Sequence, residues 1–192
     1  PLPYSGNRRL GFGSPTETEV FKMEENFIKI YNNCNKTVFY KKYPANRLPY
    51  NPSLENIYSR YKNIKFIGDL DFRYIRSAFD IIVTGSPSST FSWCLSANKP
   101  LIFFDSTIIS PLIDSEVRNQ IKKSVFYINI DKDSWKKNLN EIISLPYEVL
   151  IEKWNNMYNN RKLFITKHIF CNTKNPSKKV ANYINDLIMN NE

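Results

Sequence analysis

Two short and almost entirely apolar runs enclose a turn of small and hydroxyl residues, and this arrangement limits the fold more than any other feature of the sequence. The runs are residues 79–84 and 101–104, and the turn is residues 85–90. Both runs are rich in β-branched and aromatic residues, with too little alternation for a strand that has one face in water. We therefore predict two strands that are buried on both faces, with residues 81–83 and 101–103 in the core.

The segment between the runs has the features of a helix. Ser88 or Ser89 can serve as its N-cap, and the stretch Asn98-Lys99-Pro100 is typical of a helix end. The apolar side chains of this helix are Phe91, Trp93, Leu95 and Ala97. The unit is therefore strand, tight turn, helix, strand.

The rest of the chain repeats this alternation, which predicts right-handed βαβ crossovers and a parallel sheet. Asp131 or Asp133 is expected to begin the helix that ends near residue 143. The predicted helices are 19–31, 54–61, 71–78, 114–123 and 133–143, and the further strands are 37–41, 64–67 and 125–128. The predicted fold class is α/β, a Rossmann-like parallel sheet with helices on both faces.

The C-terminal part departs from this alternation. Residues 146–170 and 176–189 have helical patterns without a strand between them, so the domain is expected to end in two or three helices. We expect one Rossmann-like domain over residues 1–192, with residues 146–192 as a helical extension. The chain begins without Met, and we interpret it as a piece of a longer protein.

Composition excludes several function classes. No uninterrupted apolar window is long enough for a membrane span, so we expect a soluble protein. The three cysteines are far apart and lack metal-ligand spacing, which favours reduced thiols of a cytosolic protein. The one histidine, His168, lies in a polar helical stretch and is expected on the surface, so a histidine triad or a zinc site is not predicted.

The net charge of +9 suggests an anionic partner. The basic residues are spread through helices and loops, however, and no nucleic-acid recognition motif is present. We interpret them mainly as a solvated basic surface and expect no specific nucleic-acid partner.

Ligands of parallel α/β sheets bind outside the carboxyl ends of the strands. The loops expected there are 42–47, 68–71, 85–90 and 105–111. In loop 85–90, Gly85 allows close backbone approach, and free N–H groups of the following helix can bind phosphate oxygens together with hydroxyl groups. The predicted phosphate-binding residues of this turn are Gly85, Ser86, Ser88, Ser89 and Thr90; the alternative is a plain helix cap.

Other motifs are weaker. Residues 11–16 begin like a dinucleotide fingerprint but have Thr16 in place of the third glycine, and loop 85–90 lacks the ending of a Walker loop. Asp69 and Asp71 stand where helix caps belong, and Asp105 ends a strand. For these carboxylates structural roles are as well supported as catalytic ones, and we name no catalytic base.

A family resemblance is carried by "YKKYP" followed by "IKFIGDLDFRYIRSAFDIIVTGSPSSTFSWCLSANKPLIFFD". This order of elements, over residues 37–145, resembles the C-terminal nucleotide-binding half of GT-B-fold transferases that build bacterial surface polysaccharides. It is most similar to the surface-carbohydrate biosynthesis transferases, and less so to CDP-glycerol glycerophosphotransferases and capsule sialyl and Kdo transferases.

The resemblance implies a donor site with the hydroxyl-rich turn on the donor phosphates. Several relatives have His-Pro after the first strand, where this chain has Tyr43-Pro44. A phenol carries no positive charge, so the resemblance leaves charge compensation to Lys41, Lys42 or Arg47, with Tyr43 as a hydrogen-bond donor. No metal or other cofactor is required by this logic.

The implied activity is transfer of a sugar from a nucleotide-sugar donor to a polysaccharide or lipid-linked acceptor. The acceptor site would lie in an N-terminal domain of the same protein, so this part alone is expected to bind donor without turnover. The implied location is the cytoplasm, with peripheral contact at the inner face of the membrane left open. Two alternatives remain: a CDP-glycerol-type glycerophosphotransferase domain, and a non-catalytic α/β module that binds a protein partner.

Overall fold

The structure is a computed structural model, and it describes residues 17–41, 59–67, 70–85, 89–107, 113–169 and 175–189. Strands and helices alternate through most of this part of the chain. The strands are β1 Val38–Lys41, β2 Ile64–Ile67, β3 Ile82–Thr84, β4 Leu101–Asp105 and β5 Phe126–Asn129. The helices are α1 Glu17–Asn32, α2 Phe72–Ile75, α3 Ser89–Ser96, α4 Ser115–Ser124, α5 Trp135–Ile143, α6 Tyr147–Asn156, α7 Tyr158–His168 and α8 Pro176–Met189, and α2 continues as a single 3-10 turn, Arg76–Ala78.

The described strands form two parallel sheets. β1 pairs with β2, and β3, β4 and β5 pair in that order. The ring of Phe39 on β1 lies 5.6 Å from the ring of Phe79, which precedes β3. β1 is therefore the strand of the first sheet that approaches the second sheet.

β4 is buried along its whole length because helices cover both of its faces. Leu101 and Phe103 pack into a core that α3, α4, α6 and α7 share. Ile102 and Phe104 point the other way, into a core formed with α1 and α5. This alternation on a central strand is that of a doubly wound α/β sheet, as the sequence predicts.

α1 packs against both sheets. Phe27 belongs to the core beneath β4, where its ring lies 4.5 Å from that of Phe104. Its neighbour Ile28 is fully buried against the first sheet, together with Ile64. Two consecutive residues thus join α1 to two different sheets.

The burial predicted for residues 81–83 is confirmed in full only for Ile82, because Ile81 is half-buried and Val83 is exposed. Val83 is 38% exposed, whereas Ile82 is buried. Val83 pairs with Ile102 and faces the α1 side, but β3 is the edge strand of its sheet, and the helices on this side cover β4 and β5 first.

The predicted helix starts have mixed outcomes. Asp71 and Asp114 cap α2 and α4, where each carboxylate accepts a bond from a backbone N–H of the first turn. The prediction that Asp131 or Asp133 caps α5 is wrong, because the N-cap is Ser134 and no side chain caps the helix. α3 ends as expected, with Asn98 in the left-handed region at φ 51° before Lys99-Pro100.

The helical extension consists of α6, α7 and α8. Trp154 on α6 and Phe164 on α7 are buried in the core of the second sheet. Arg161 on α7 links α7 to α6. Its guanidinium stacks 3.6 Å from the centre of the Trp154 ring, and Nη1 donates a hydrogen bond to the Trp154 carbonyl. Within the described ranges, no helix has the length and apolar character needed to cross a bilayer.

Candidate functional site at the carboxyl edge of the sheet

The parallel strands β3, β4 and β5 end at one edge, where they place Gly85, Asp105 and Asn129. Thr84 aligns with Phe103, and Asp105 aligns with Asn129. The helices α3 and α4 begin after this edge on the same face of the sheet. This edge is the expected position for a ligand in such a sheet.

The turn after β3 is described at its two ends. Gly85 is half-buried, and α3 begins at Ser89 with Thr90 half-buried in its first turn. The φ of Gly85 lies outside the left-handed region that favours glycine, and a Cβ atom there would lie 3.7 Å from Phe104 Cβ, an ordinary contact. Among the described neighbours, therefore, nothing in the fold itself requires glycine at position 85.

Five of the predicted phosphate-binding residues lie outside the described part of the chain: Ser86, Ser88, Lys42, Tyr43 and Arg47. Asp69 and residues 54–58 of a predicted helix also lie outside it. The side chain of Ser89 is likewise outside the description.

Asp105 is the most buried charged residue of the edge. It is 2% exposed, and its Oδ2 accepts hydrogen bonds from Arg118 Nε at 2.6 Å and from the Tyr127 hydroxyl at 2.5 Å. Burial and the bond to Asp105 raise the pKa of Tyr127, which keeps its proton available for donation. Oδ1 of Asp105 is buried and has no hydrogen-bond partner among the described residues.

The side chain of Asp131, which follows β5, accepts hydrogen bonds from the two residues that follow β4. Its Oδ1 accepts from the Ser106 hydroxyl at 2.5 Å, and its Oδ2 accepts from both the backbone N–H and the hydroxyl of Thr107 at 2.7 Å. Partial burial raises the pKa of Asp131, but the bonds from Ser106 and Thr107 outweigh it and lower the pKa below its ordinary value. The carboxylate predicted to cap a helix therefore fixes the start of loop 105–111 instead.

An ion pair of Arg73 and Asp71 lies beside α3. The Arg73 guanidinium is 5.4 Å from the centre of the Trp93 ring, and helical side chains lean over the preceding turn. Arg73 also pairs with Asp71, which lowers the pKa of that carboxyl to about 2, and the charge of Lys41 contributes to the same shift. α2 thus contacts α3 through Arg73 and Trp93.

The arrangement combines a helix N-terminus with two ion pairs, Arg73 with Asp71 and Arg118 with Asp105. The helix N-terminus attracts anions, whereas each guanidinium is already balanced by a carboxylate. In the described part of the chain, no group of three or more His, Cys, Asp or Glu side chains could hold a metal ion.

The sequence analysis missed Arg73, Arg118 and Tyr127. Arg118 and Tyr127 lie 13 and 22 residues from Asp105, so no local pattern joins them to it. His168 is exposed, as predicted, with Nε2 2.7 Å from Gln120 Oε1. Of the cysteines, Cys34 and Cys94 carry free thiols, and burial raises the pKa of Cys94 to about 12, which makes it a poor nucleophile.

Comparison of the chain with models of known protein families, with curated proteins and with solved structures gave no match.

Proposed function

We propose that this chain is the donor-binding domain of a glycosyltransferase that transfers a sugar from a nucleotide-sugar to a growing surface polysaccharide. The observation that supports the proposal most directly is the start of α3 at the hydroxyl-rich turn, at the carboxyl edge of a doubly wound parallel sheet. At this position the N–H groups of the first turn can bind the donor phosphates.

A basic residue at the end of β1 supports the same proposal. Lys41 ends β1, and the resemblance leaves charge compensation to Lys41, Lys42 or Arg47, whereas the charge of Arg73, beside Trp93, is already paired with Asp71. A leaving diphosphate needs such compensation where no metal ion supplies it. The acceptor, a polysaccharide or a lipid-linked sugar, and the catalytic base would come from another domain of the same protein, in the cytoplasm or at the inner face of its membrane.

Calorimetric titration of CMP, CDP, UDP and GDP tests the proposal. Replacing Ser88 and Ser89 by Ala removes hydroxyl contacts worth about 1 to 3 kcal/mol together, so we expect affinity to fall by about one to two orders of magnitude. The matched control is the double variant Ser134→Ala and Ser144→Ala, which removes two exposed hydroxyls at the ends of α5. Thermal melts check folding of both variants.

A substitution at Gly85 sharpens the experiment. Since an added Cβ makes ordinary contact with Phe104, Gly85→Ala should fold normally. A loss of nucleotide affinity in this variant would then report close approach of the ligand. Failure of all four nucleotides to bind the wild type, or equal binding by the folded double-Ala variant at 88 and 89, would contradict the proposed site.

The alternatives give different results in the same titration. A CDP-glycerol-type glycerophosphotransferase domain would prefer CDP-glycerol to every nucleotide-sugar. A protein-interaction module would bind none of these ligands, and exposed apolar side chains favour it: Tyr183 is 64% exposed on α8, and Leu163 is exposed on α7.

A further inference from the structure

β1 and β3 are the facing edges of the two parallel sheets, and we call the gap between them the seam. The ring of Phe39 on β1 lies 5.6 Å from the ring of Phe79, just before β3. Tyr31 of α1 belongs to the apolar clusters of both sheets, one of which includes Ile81 and the other Val38. Among the described strands, however, β1 bonds only to β2, and β3 bonds only to β4.

Backbone groups on both sides of the seam point into it. Ile82 donates its N–H to the carbonyl just before β4, so the N–H and C=O of Ile82 face β4 and those of Val83 face the seam. Val38 donates to the carbonyl just before β2 in the same way, so the groups of Phe39 face the seam from β1. Such an edge is a template for pairing with another strand.

The side chains of the two edges also match in direction. Ile82 packs in the core on the α3 side of its sheet. On β1, Tyr40 packs on the α1 side, so Phe39 points to the opposite side. A parallel ladder across the seam would put Phe39 on the same face as Ile82, which is the face where Phe39 already meets Phe79. Neither strand therefore has to turn over to pair.

The seam leaves apolar side chains in water. Phe39 is 46% exposed and Val83 is 38% exposed. Pairing would give each of them a neighbour on the adjoining strand, and such cross-strand contacts stabilise a sheet. The paired form would be one five-stranded parallel sheet in the order β2-β1-β3-β4-β5.

One end of the seam lies at the carboxyl edge that carries the proposed donor site. Lys41 is the last residue of β1, and Gly85 follows β3 directly. Paired strands lie about 4.8 Å apart, so closing the seam would bring these two strand ends to neighbouring positions. A ligand that contacts both ends would therefore favour the closed form.

We propose that the seam is a conformational switch, in which β1 and β3 pair when a nucleotide binds at the carboxyl edge, an inference that rests on the proposed donor binding. The structure shows the open form. In the closed form, the N–H of Val83 donates to a carbonyl of β1, and the N–H of Phe39 donates to a carbonyl of β3. The nucleotide shifts the equilibrium by as much as it binds the closed form better than the open form.

Amide hydrogen exchange, resolved by residue with NMR, tests the switch. Rates are measured for the whole chain without ligand and with a saturating amount of the tightest binder among CMP, CDP, UDP and GDP. We expect exchange of the Phe39 and Val83 amides to slow by about tenfold or more on binding, because their N–H groups become paired. The amide of Tyr127, which faces the outer edge of β5, is the control and should keep its rate.

Substitutions at position 83 provide a second measurement. Val83→Pro removes the N–H that faces the seam, and proline is tolerated on an edge strand where the N–H is outside the ladder. The matched control Val83→Ala shortens the same side chain and keeps the N–H. We expect Val83→Pro to bind the nucleotide about threefold to tenfold more weakly than Val83→Ala, with thermal melts to check folding.

Three outcomes overturn the switch while donor binding stands. The first is a Val83 amide that exchanges as slowly as that of Ile82 before ligand is added, and the second is a Val83 amide whose rate stays the same when nucleotide binds. The third is equal affinity of the folded Val83→Pro and Val83→Ala variants. Absence of binding by every nucleotide overturns the proposed function and this inference together. Should Val83→Pro not fold, the exchange rates of the wild type decide alone.

Discussion

Removing Arg118 from its buried ion pair with Asp105 is expected to destabilise the fold far more than removing one partner of a surface pair. Nε of Arg118 donates to Oδ2 at 2.6 Å, and the two side chains are only 15% and 1% exposed. Arg118→Met keeps most of the apolar stem and removes the guanidinium. The carboxylate then stays in the interior without its opposite charge.

The expected loss of stability is about 2 to 4 kcal/mol. Removing one partner of a buried pair costs about 3 to 5 kcal/mol, but the Tyr127 hydroxyl still donates to the same oxygen, which reduces the penalty. For a domain of this size, each kcal/mol lowers the melting temperature by about 2 to 4 °C, so we expect a decrease of about 4 to 16 °C.

Lys137→Met provides the matched control. Lys137 and Glu141 lie 3.9 Å apart on α5, with side chains 80% and 62% exposed, so their pair contributes about 0.5 kcal/mol or less. Urea and thermal unfolding of the single variants and of the double variant Asp105→Asn and Arg118→Met complete a double-mutant cycle. If Arg118→Met melts within about 1 °C of Lys137→Met, the reasoning from burial is refuted.

Further predictions concern the core, the acid response and nucleic-acid binding. Phe103→Ala should cost about 3 to 5 kcal/mol in urea unfolding, and the edge substitution Val83→Ala about 1 kcal/mol or less; equal losses would contradict the central position of β4. The folded pKa of Asp131 is lowered, so its stabilisation is present above its unfolded pKa, about 4, and is lost as pH falls below that value. Asp131→Asn should therefore unfold less steeply with acidification than the wild type, and an unchanged pH profile would count against the bonds to Ser106 and Thr107. Filter binding should detect only weak nucleic-acid association that falls steeply with salt, and submicromolar, sequence-selective binding at physiological salt would overturn the proposed function.

The sequence predicts the layers of the fold because burial leaves a local pattern. Residues 101–105 contain four consecutive apolar side chains, and a strand covered on both faces is their simplest explanation. The edge position of β3 has no such pattern. Val83 is as apolar as its neighbours, and only the order of the strands leaves it exposed.

The site was less predictable because its contacts join distant parts of the chain. Asp131 stands before a helix and fits a cap, yet Ser106 and Thr107, 25 and 24 residues away, are the donors that it binds. Capping a helix would stabilise the fold by about 1 kcal/mol, and three hydrogen bonds from the residues after β4 readily outweigh that gain for Asp131. Gly85 and the start of α3 were found because a glycine and a run of hydroxyl residues are visible in the sequence itself.

The double attachment of α1 has a consequence for local unfolding. A two-stranded sheet is marginally stable alone, and Val38, Tyr40, Ile64 and Phe66 of β1 and β2 form one apolar cluster with Ile28 and Tyr31 of α1. When α1 separates from β4 by losing the contacts of Phe27, the first sheet loses its support in the same event. In native-state hydrogen exchange, the amides of β1, β2 and the C-terminal half of α1 should therefore open as one cooperative unit, at a lower free energy than those of β4.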